Sequence, residues 1–251
     1  MHDKKFVVVI PARIGSGRLA RKPLANIGGK PMIVHTYERA VEATDASNIF
    51  IATDSEEIMN VCHRAGANAL ITPKACKTGT DRIAEFAKKI KAQIYINLQG
   101  DEPLMEAENI KKIISAGLQN PEKIINGWAK IETKREYFSR TIPKLVLKNQ
   151  DQLMYMSRSP IPGNKSNEFK EAKKQICVYS FPQAALKFVL EHNMKSPVEE
   201  IEDIEILRFV ENGWEVKMVE LSGSSIAVDT PSDLERVRKK ILSSKNGEKQ
   251  A

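Results

Sequence analysis

An α/β fold with a doubly wound, mostly parallel sheet is predicted by two features of the sequence. Short, continuous apolar runs rich in β-branched residues recur, of which Val7-Val8-Val9-Ile10 is the clearest, and they alternate with stretches of helical apolar spacing. The residues with the most chemistry fall directly after such runs, where open α/β sheets bind ligands beyond the carboxyl ends of their strands.

In order, residues 6–11 read as a strand and 30–44 as an amphipathic helix beginning near Pro31. Asn48–Thr53 is a second strand, and the helix over 55–65 ends at Gly66, a glycine in the position that terminates helices. Residues 67–72 form a strand, 79–90 a helix with Thr80 or Asp81 near its start, Ile94–Leu98 a fourth strand and 106–118 a helix. The middle is irregular: 124–148 mixes strand-like runs (Lys144–Leu147) with the charged segment Glu132–Arg140, and 159–175 reads as a long loop. A strand at 176–181, helices at 182–192 and 199–211, a strand at 215–220 and a helix at 231–243 complete the chain. No repeat or linker divides it, so 1–251 reads as one domain. Its parts are a nucleotide-binding half (1–124), a substrate-binding half with an inserted arm (125–230), and a C-terminal helix and tail (231–251).

The net charge of +7 raises the question of nucleic acid, but the cations are dispersed and few aromatics are interleaved with them. An anionic small substrate accounts for the excess better, and no nucleic-acid partner is expected. No run approaches the 18 or so apolar residues of a membrane span, and none has the form of a signal peptide. The cysteines Cys62, Cys76 and Cys177 lack CxxC spacing, which fits reduced, structural thiols and a cytoplasmic setting.

The first strand runs into Arg13, Gly15, Ser16, Gly17, Arg18, Arg21 and Lys22. Gly17 is followed by Arg18, so this is not a P-loop, and the third glycine of a dinucleotide turn is missing. What remains is a cationic loop suited to a nucleoside triphosphate whose pyrophosphate must be neutralised and released. Two other strand ends carry an aspartate just before a proline: Gln99-Gly100-Asp101-Glu102-Pro103 and Val228-Asp229-Thr230-Pro231. Either alone also suits a simple turn. Beside a phosphate loop, the pair reads as ligands for Mg²⁺, which takes few protein oxygens and completes its sphere with substrate phosphates.

Seven motifs in register resemble the 3-deoxy-manno-octulosonate (Kdo) cytidylyltransferases over nearly the whole chain. They are IPARxxSxRLxxKPL (10–24), GKPMIVH (29–35), ATDSEEI (52–58), TGTDRIAE (78–85), NLQGDEP (97–103), SRSPIP (157–162) and VDTPSDLERVR (228–238). The resemblance implies a nucleotide-diphospho-sugar transferase-like fold with a dimerisation arm at roughly 125–175, and a homodimer. The implied reaction transfers CMP from CTP to the anomeric hydroxyl of a sugar acid in lipopolysaccharide biosynthesis. By the same resemblance Ala12, Arg13, Ser16, Arg18 and Lys22 surround the triphosphate, with Arg13, Lys22 and Asp101 catalytic. Arg82 and Gln99 hold cytidine and sugar, Asp101 and Asp229 hold Mg²⁺, and Arg158, Gln175, Tyr179 and Glu205 bind the sugar acid, Arg158 through its carboxylate. No residue stands out as a general base.

The chain departs from that pattern mainly in the sugar half. Gln175 stands at or beside a usual histidine, and Ile206 replaces a usual glutamine after Glu205. These changes suggest a modified acceptor such as an 8-amino-3,8-dideoxy analogue of Kdo, its amine facing Glu202, Asp203 and Glu205. In the phosphate loop Ala20-Arg21 replaces Pro-Gly, so Arg21 either reaches the phosphates or faces solvent. The alternatives are a cytidylyltransferase for a nine-carbon, sialic-acid-like sugar, one for an alcohol phosphate, and a non-catalytic nucleotide-binding module.

Overall fold

The computed structural model describes residues 4–15, 19–149, 151–192 and 194–248, with side chains up to 243 in the last helix. In chain order the elements begin with β1 (Lys4–Ala12), β2 (Asn26–Ile27), β3 (Lys30–Pro31), α1 (Met32–Ala43), β4 (Ile49–Thr53), α2 (Glu56–Arg64) and β5 (Asn68–Ile71). Next come α3 (Gly79–Lys89), β6 (Ala92–Leu98), α4 (Ala107–Gln119), β7 (Ile124–Lys130), α5 (Lys134–Phe138), β8 (Lys144–Lys148) and β9 (Gln152–Ser157). The remainder is β10 (Lys173–Pro182), α6 (Gln183–His192), α7 (Pro197–Glu202), α8 (Leu207–Glu211), β11 (Val216–Glu220) and α9 (Pro231–Glu248).

Among the described residues the main sheet has nine strands in the order β5-β4-β1-β6-β10-β7-β11-β9-β8. β5, β4, β1 and β6 pair in parallel, and so do β11 and β7, whereas β10 and β9 run against their neighbours. Val7 to Ile10 are fully buried and alternate between the two faces: Val7 and Val9 meet α3 and α6, Val8 and Ile10 meet α1, α2 and α4. Burial on both faces is why this strand reads as one apolar run rather than as an alternation.

Gly66 ends α2 as expected, and α3 is capped at Thr78 rather than at Thr80 or Asp81. Ser55 caps α2 by accepting from the Ile58 N–H at 3.4 Å, Glu56 and Glu57 sit in its first turn, and Gly66 beyond its end adopts φ +78°. Thr78 and Asp81 form a reciprocal capping box at the start of α3.

Two segments differ from expectation. β10 begins at Lys173, inside the stretch read as loop, because Lys173 and Lys174 pair with both β7 and β8. The helix expected over 199–211 is two short helices, α7 and α8, broken where Asp203 adopts a left-handed φ of +50°. The break turns Glu205 away from solvent and onto the first turn of α3.

The thiols stay unpaired and two of them are buried. Burial on the inward face of α2 pushes the Cys62 thiol up to about 12, so almost none of it is thiolate at neutral pH. Ellman's reagent at pH 8 is expected to leave Cys62 unlabelled in the native protein and to label it after denaturation, with mass spectrometry locating the adduct. Native labelling of Cys62 would contradict its enclosed position. No described helix is long and apolar enough to cross a membrane.

Candidate active site

A cavity of about 610 Å³ opens where β1, β6 and the loop before α9 end. Gly100 allows this convergence, since a Cβ there would lie 2.7 Å from the Pro11 carbonyl oxygen. The Val228 N–H donates to the Asp101 carbonyl at 2.9 Å and ties the two aspartate-bearing loops together. Asp229 is held from behind by α9. Asp233 in the first turn of α9 accepts from Thr230 N–H at 3.0 Å, and Leu234 and Val237 pack against Ile27 and Met32.

Lys22 lies between the two carboxylates. Its Nζ donates to Asp101 Oδ2 at 2.6 Å and to Asp229 Oδ1 at 3.1 Å. Burial works against the Lys22 charge, but attraction and hydrogen bonding from Asp101, then Asp229, outweigh it and leave the ammonium harder to deprotonate than usual. Arg21, in a left-handed conformation (φ +54°), turns the chain so that Lys22 points inward. The Arg21 guanidinium pairs with Glu57, so it faces away from the phosphate site. Ala12 and Arg13 line the cavity, while Ser16 and Arg18 lie outside the described residues.

Beside Asp101, Glu102 is buried and accepts from Ser225 Oγ. Burial pushes its carboxyl up to about 8 against that hydrogen bond, and the neighbouring Asp101 and Asp229 charges add to the rise. Glu102 is absent from the cavity lining among the described residues, which leaves the general base unassigned.

Arg82 borders the cavity but is 2% exposed and acts as a strut. Its Nη1 donates to Thr72 Oγ1 at 2.7 Å and its Nη2 to Asp54 Oδ2 at 3.2 Å; Asp54 Oδ1 accepts from the Ile14 N–H at 3.0 Å. The guanidinium therefore positions the loop after β1 through Asp54. Asp54 lies inside the ATDSEEI motif, yet local sequence gives no sign that it joins Ile14 to Arg82.

At the other end, Gln99 packs against the first residue of α3, within 3.1 Å of where a Gly79 Cβ would stand. Glu205 accepts from the N–H groups of Gly79 at 3.2 Å and Thr80 at 2.8 Å, and burial raises its carboxyl above the ordinary range despite these bonds. Lys77, Lys195 and Asp203 complete this end. In the sequence Lys77 and Lys195 look like ordinary surface lysines and Asp203 like one of several neighbouring acids, so only the fold brings them to the cavity.

Three expected sugar-binding residues do not reach the cavity lining among the described residues. Gln175 and Tyr179 are 8% and 6% exposed, and Gln175 Nε2 donates to Asn126 Oδ1 at 3.0 Å and to the Tyr179 hydroxyl at 3.1 Å. Asn126 in turn donates to the carbonyls of Ile176 and Val178, each at 3.0 Å, bracing the bulge in β10. Arg158 spends its guanidinium on carbonyls: Nε to Glu202 O at 2.6 Å, Nη2 to Asp203 O at 2.8 Å and Nη1 to Arg140 O at 3.1 Å.

The geometry is a cavity with a cation–carboxylate cluster at one end and a sheet-edge pocket at the other. A family model described as cytidylyltransferase matches residues 7–221. The 3-deoxy-manno-octulosonate cytidylyltransferase of Geotalea uraniireducens is 37% identical over 249 residues, covering 94% of this chain and 99% of the relative. That of Escherichia coli is 34% identical, covering 93% and 95%. A solved structure of CMP:2-keto-3-deoxy-manno-octonic acid synthetase complexed with CTP superposes with a TM-score of 0.88 at 33% identity, covering 96% of this chain and all of that one. With this likeness spread over the whole length, the chain is a cytidylyltransferase and belongs to the 3-deoxy-manno-octulosonate cytidylyltransferase family.

Proposed function

We propose that the protein transfers CMP from CTP to the anomeric hydroxyl of Kdo. The hydroxyl oxygen forms a bond to the α-phosphorus and gives up its proton to solvent, the bond from that phosphorus to the β-phosphate bridging oxygen breaks, and pyrophosphate leaves with the electron pair. The observation that carries this reading is the Asp101–Lys22–Asp229 cluster, set beside Arg13 at the end of β1. Lys22 and Arg13 neutralise the triphosphate and stabilise the charge that builds on the departing pyrophosphate, and their placement supplies orientation rather than covalent chemistry.

The donor set suits Mg²⁺. Two hard carboxylates, Asp101 and Asp229, converge on one cation, and Mg²⁺ takes few protein oxygens and leaves the rest of its sphere to substrate phosphates. Asp101 and Asp229 would hold it. There it would supply positive charge beside the phosphates and make the attacking hydroxyl easier to ionise.

The amino-sugar variant has less support. Glu202 is taken up by Ser157 Oγ at 2.6 Å and by Arg158 N–H at 2.8 Å. Asp203 faces Lys195 at 3.2 Å, and the departing residue Ile206 is fully buried. We also assign a homodimer to this enzyme in a cytoplasmic setting, acting in lipopolysaccharide biosynthesis. Met154, 54% exposed on the edge hairpin β8–β9, supports an interface within 125–175.

The direct test measures pyrophosphate release with CTP, Mg²⁺ and either Kdo or its 8-amino analogue. Turnover with CTP is expected, with the higher kcat/KM for Kdo. Release of pyrophosphate with a nine-carbon acid alone, or with neither octulosonate, would overturn the assignment.

A further inference from the structure

We infer that α9 is a clasp that sets the spacing between Lys22 and Asp229, with Asp233 and Arg238 as positioning residues for the nucleotide end of the cavity. The inference rests on the part of the transfer reading that places CTP and Mg²⁺ at that end. α9 opens on a capping box built from Thr230-Pro231-Ser232-Asp233. The Thr230 hydroxyl accepts from the Asp233 N–H at 3.2 Å, and Asp233 Oδ2 accepts from the Thr230 N–H at 3.0 Å. The same carboxylate oxygen accepts from the Thr230 hydroxyl at 2.7 Å and from the Asp229 N–H at 3.4 Å. A box of this kind ordinarily stops at the cap residue. Here it extends one residue further, onto the backbone of the aspartate that faces Lys22.

A second anchor lies further along the helix. Arg238 Nε and Nη2 both donate to the Asn26 carbonyl, at 2.9 and 2.8 Å. Asn26 opens β2, just after the tight turn that begins at Lys22. That turn is closed by the Ala25 N–H on the Lys22 carbonyl at 3.1 Å, so little slack separates Lys22 from the point that Arg238 grips. Between the two anchors, Leu234 and Val237 are buried against Ile27 and Met32. The contacts therefore close a ring. It runs from Lys22 through the turn to Asn26, across Arg238 into α9 and back along the helix to Asp233 and Asp229. Asp229 Oδ1 then meets Lys22 Nζ at 3.1 Å.

Asp101 has a different support. It follows β6, an inner strand of the main sheet, and so is held by the sheet rather than by α9. The Val228 N–H bond to the Asp101 carbonyl, at 2.9 Å, holds the chain on one side of Asp229, and the capping box holds it on the other. Removing either anchor of α9 lets the helix shift and turns the Asp229 carboxylate away from the point where it converges with Asp101. Mg²⁺ demands short, near-octahedral oxygen contacts and tolerates such a displacement poorly. The triphosphate charge itself is still met by Arg13 and Lys22, so the clasp acts on the ion more than on the nucleotide.

The test measures CTP binding to the full chain by isothermal titration calorimetry, with and without Mg²⁺, together with Tm in the absence of ligand. Asp233→Ala and Arg238→Met are each expected to weaken CTP binding in Mg²⁺ about tenfold, the usual scale for losing a partner that orients a metal ligand, and to change it less than about twofold without the ion. Asp233→Asn keeps one acceptor oxygen and is expected to retain most of the affinity. In steady-state pyrophosphate release, half-saturating Mg²⁺ should rise by a similar factor in the first two variants, with KM for Kdo little changed. A purely structural role would lower Tm and weaken CTP binding equally with and without the ion. That result, or binding in Mg²⁺ unchanged in both variants, overturns the clasp. A wild type that binds CTP no more tightly with Mg²⁺ than without it overturns the metal site and the clasp with it. A wild type that shows the Mg²⁺ effect but releases no pyrophosphate with Kdo overturns the transfer reading alone, because the calorimetric comparison needs no acceptor.

Discussion

Asp101→Asn is expected to remove nearly all turnover while leaving CTP binding and the fold in place, and Asp229→Asn is expected to do the same. Each carboxylate supplies half of a charged pair that grips one cation across the strand ends, Lys22 Nζ at 2.6 and 3.1 Å. An asparagine keeps the shape and one acceptor oxygen but loses the charge that binds a divalent ion and offsets Lys22. If the ion stabilises the transition state by several kcal/mol, loss of one ligand costs on the order of 3 kcal/mol, roughly a hundredfold in kcat. Raising Mg²⁺ should rescue either variant in part, because weakened ion affinity is overcome by mass action. Kinetics over a Mg²⁺ titration, with circular dichroism as the folding control, measures this. A kcat within about threefold of wild type at saturating CTP, in both variants, would sink the two-carboxylate metal site.

The parts that were legible in the sequence are those whose cause is local. The run Val7-Val8-Val9-Ile10 in β1 announces a strand buried on both faces, and Gly66 marks a helix end by chemistry confined to one turn, whereas the cap of α3 is Thr78, two residues before the expected Thr80. Asp101 and Asp229 were visible because each stands at a strand or loop end that the α/β layout brings to one edge. The rest depends on partners far apart in the chain. The split of the expected 199–211 helix follows from Glu205 reaching amides 125 and 126 residues away, which no periodicity reveals. Arg82 reads as a ligand-binding arginine until Asp54 and Thr72 are seen to enclose it. Arg158 stands out in the SRSPIP motif, but its contacts with the carbonyls of Arg140, Glu202 and Asp203 depend on segments far away in the chain. Gln175 similarly turns inward, because the β10 bulge leaves two carbonyls that Asn126 satisfies, and Gln175 braces Asn126.

Arg208→Met is expected to produce the largest loss of stability of any single change considered. Arg208 is 2% exposed, and its Nε and Nη2 donate to the two oxygens of Glu199 at 2.7 and 2.8 Å, while Nη1 donates to Asp81 Oδ1 at 2.7 Å. Burial opposes the guanidinium charge, but hydrogen bonds and attraction from Glu199 and Asp81 more than compensate and raise its pKa further above the usual arginine range. Methionine fills much of the volume and strands both carboxylates, Glu199 being fully buried. Breaking a buried pair from one side costs about 3–5 kcal/mol, which at this chain length lowers Tm by roughly 10 °C. The double variant Glu199→Gln with Arg208→Met should be less destabilised than the sum of the two singles, since it removes the stranded charge; additive losses would mean the pair is not coupled. The same network reaches the site. Asp81 also accepts from the N–H groups of Lys77 and Thr78, at 3.1 and 3.0 Å, so Arg208 braces the α3 turn that carries Lys77 and receives Glu205. The nucleotide end is held separately, by Asp54 on Ile14 and by the Asp101–Lys22–Asp229 cluster. At a temperature where the variant remains folded, KM for the sugar acid should therefore rise more than KM for CTP. Equal rises would show that the two ends of the cavity are not braced independently.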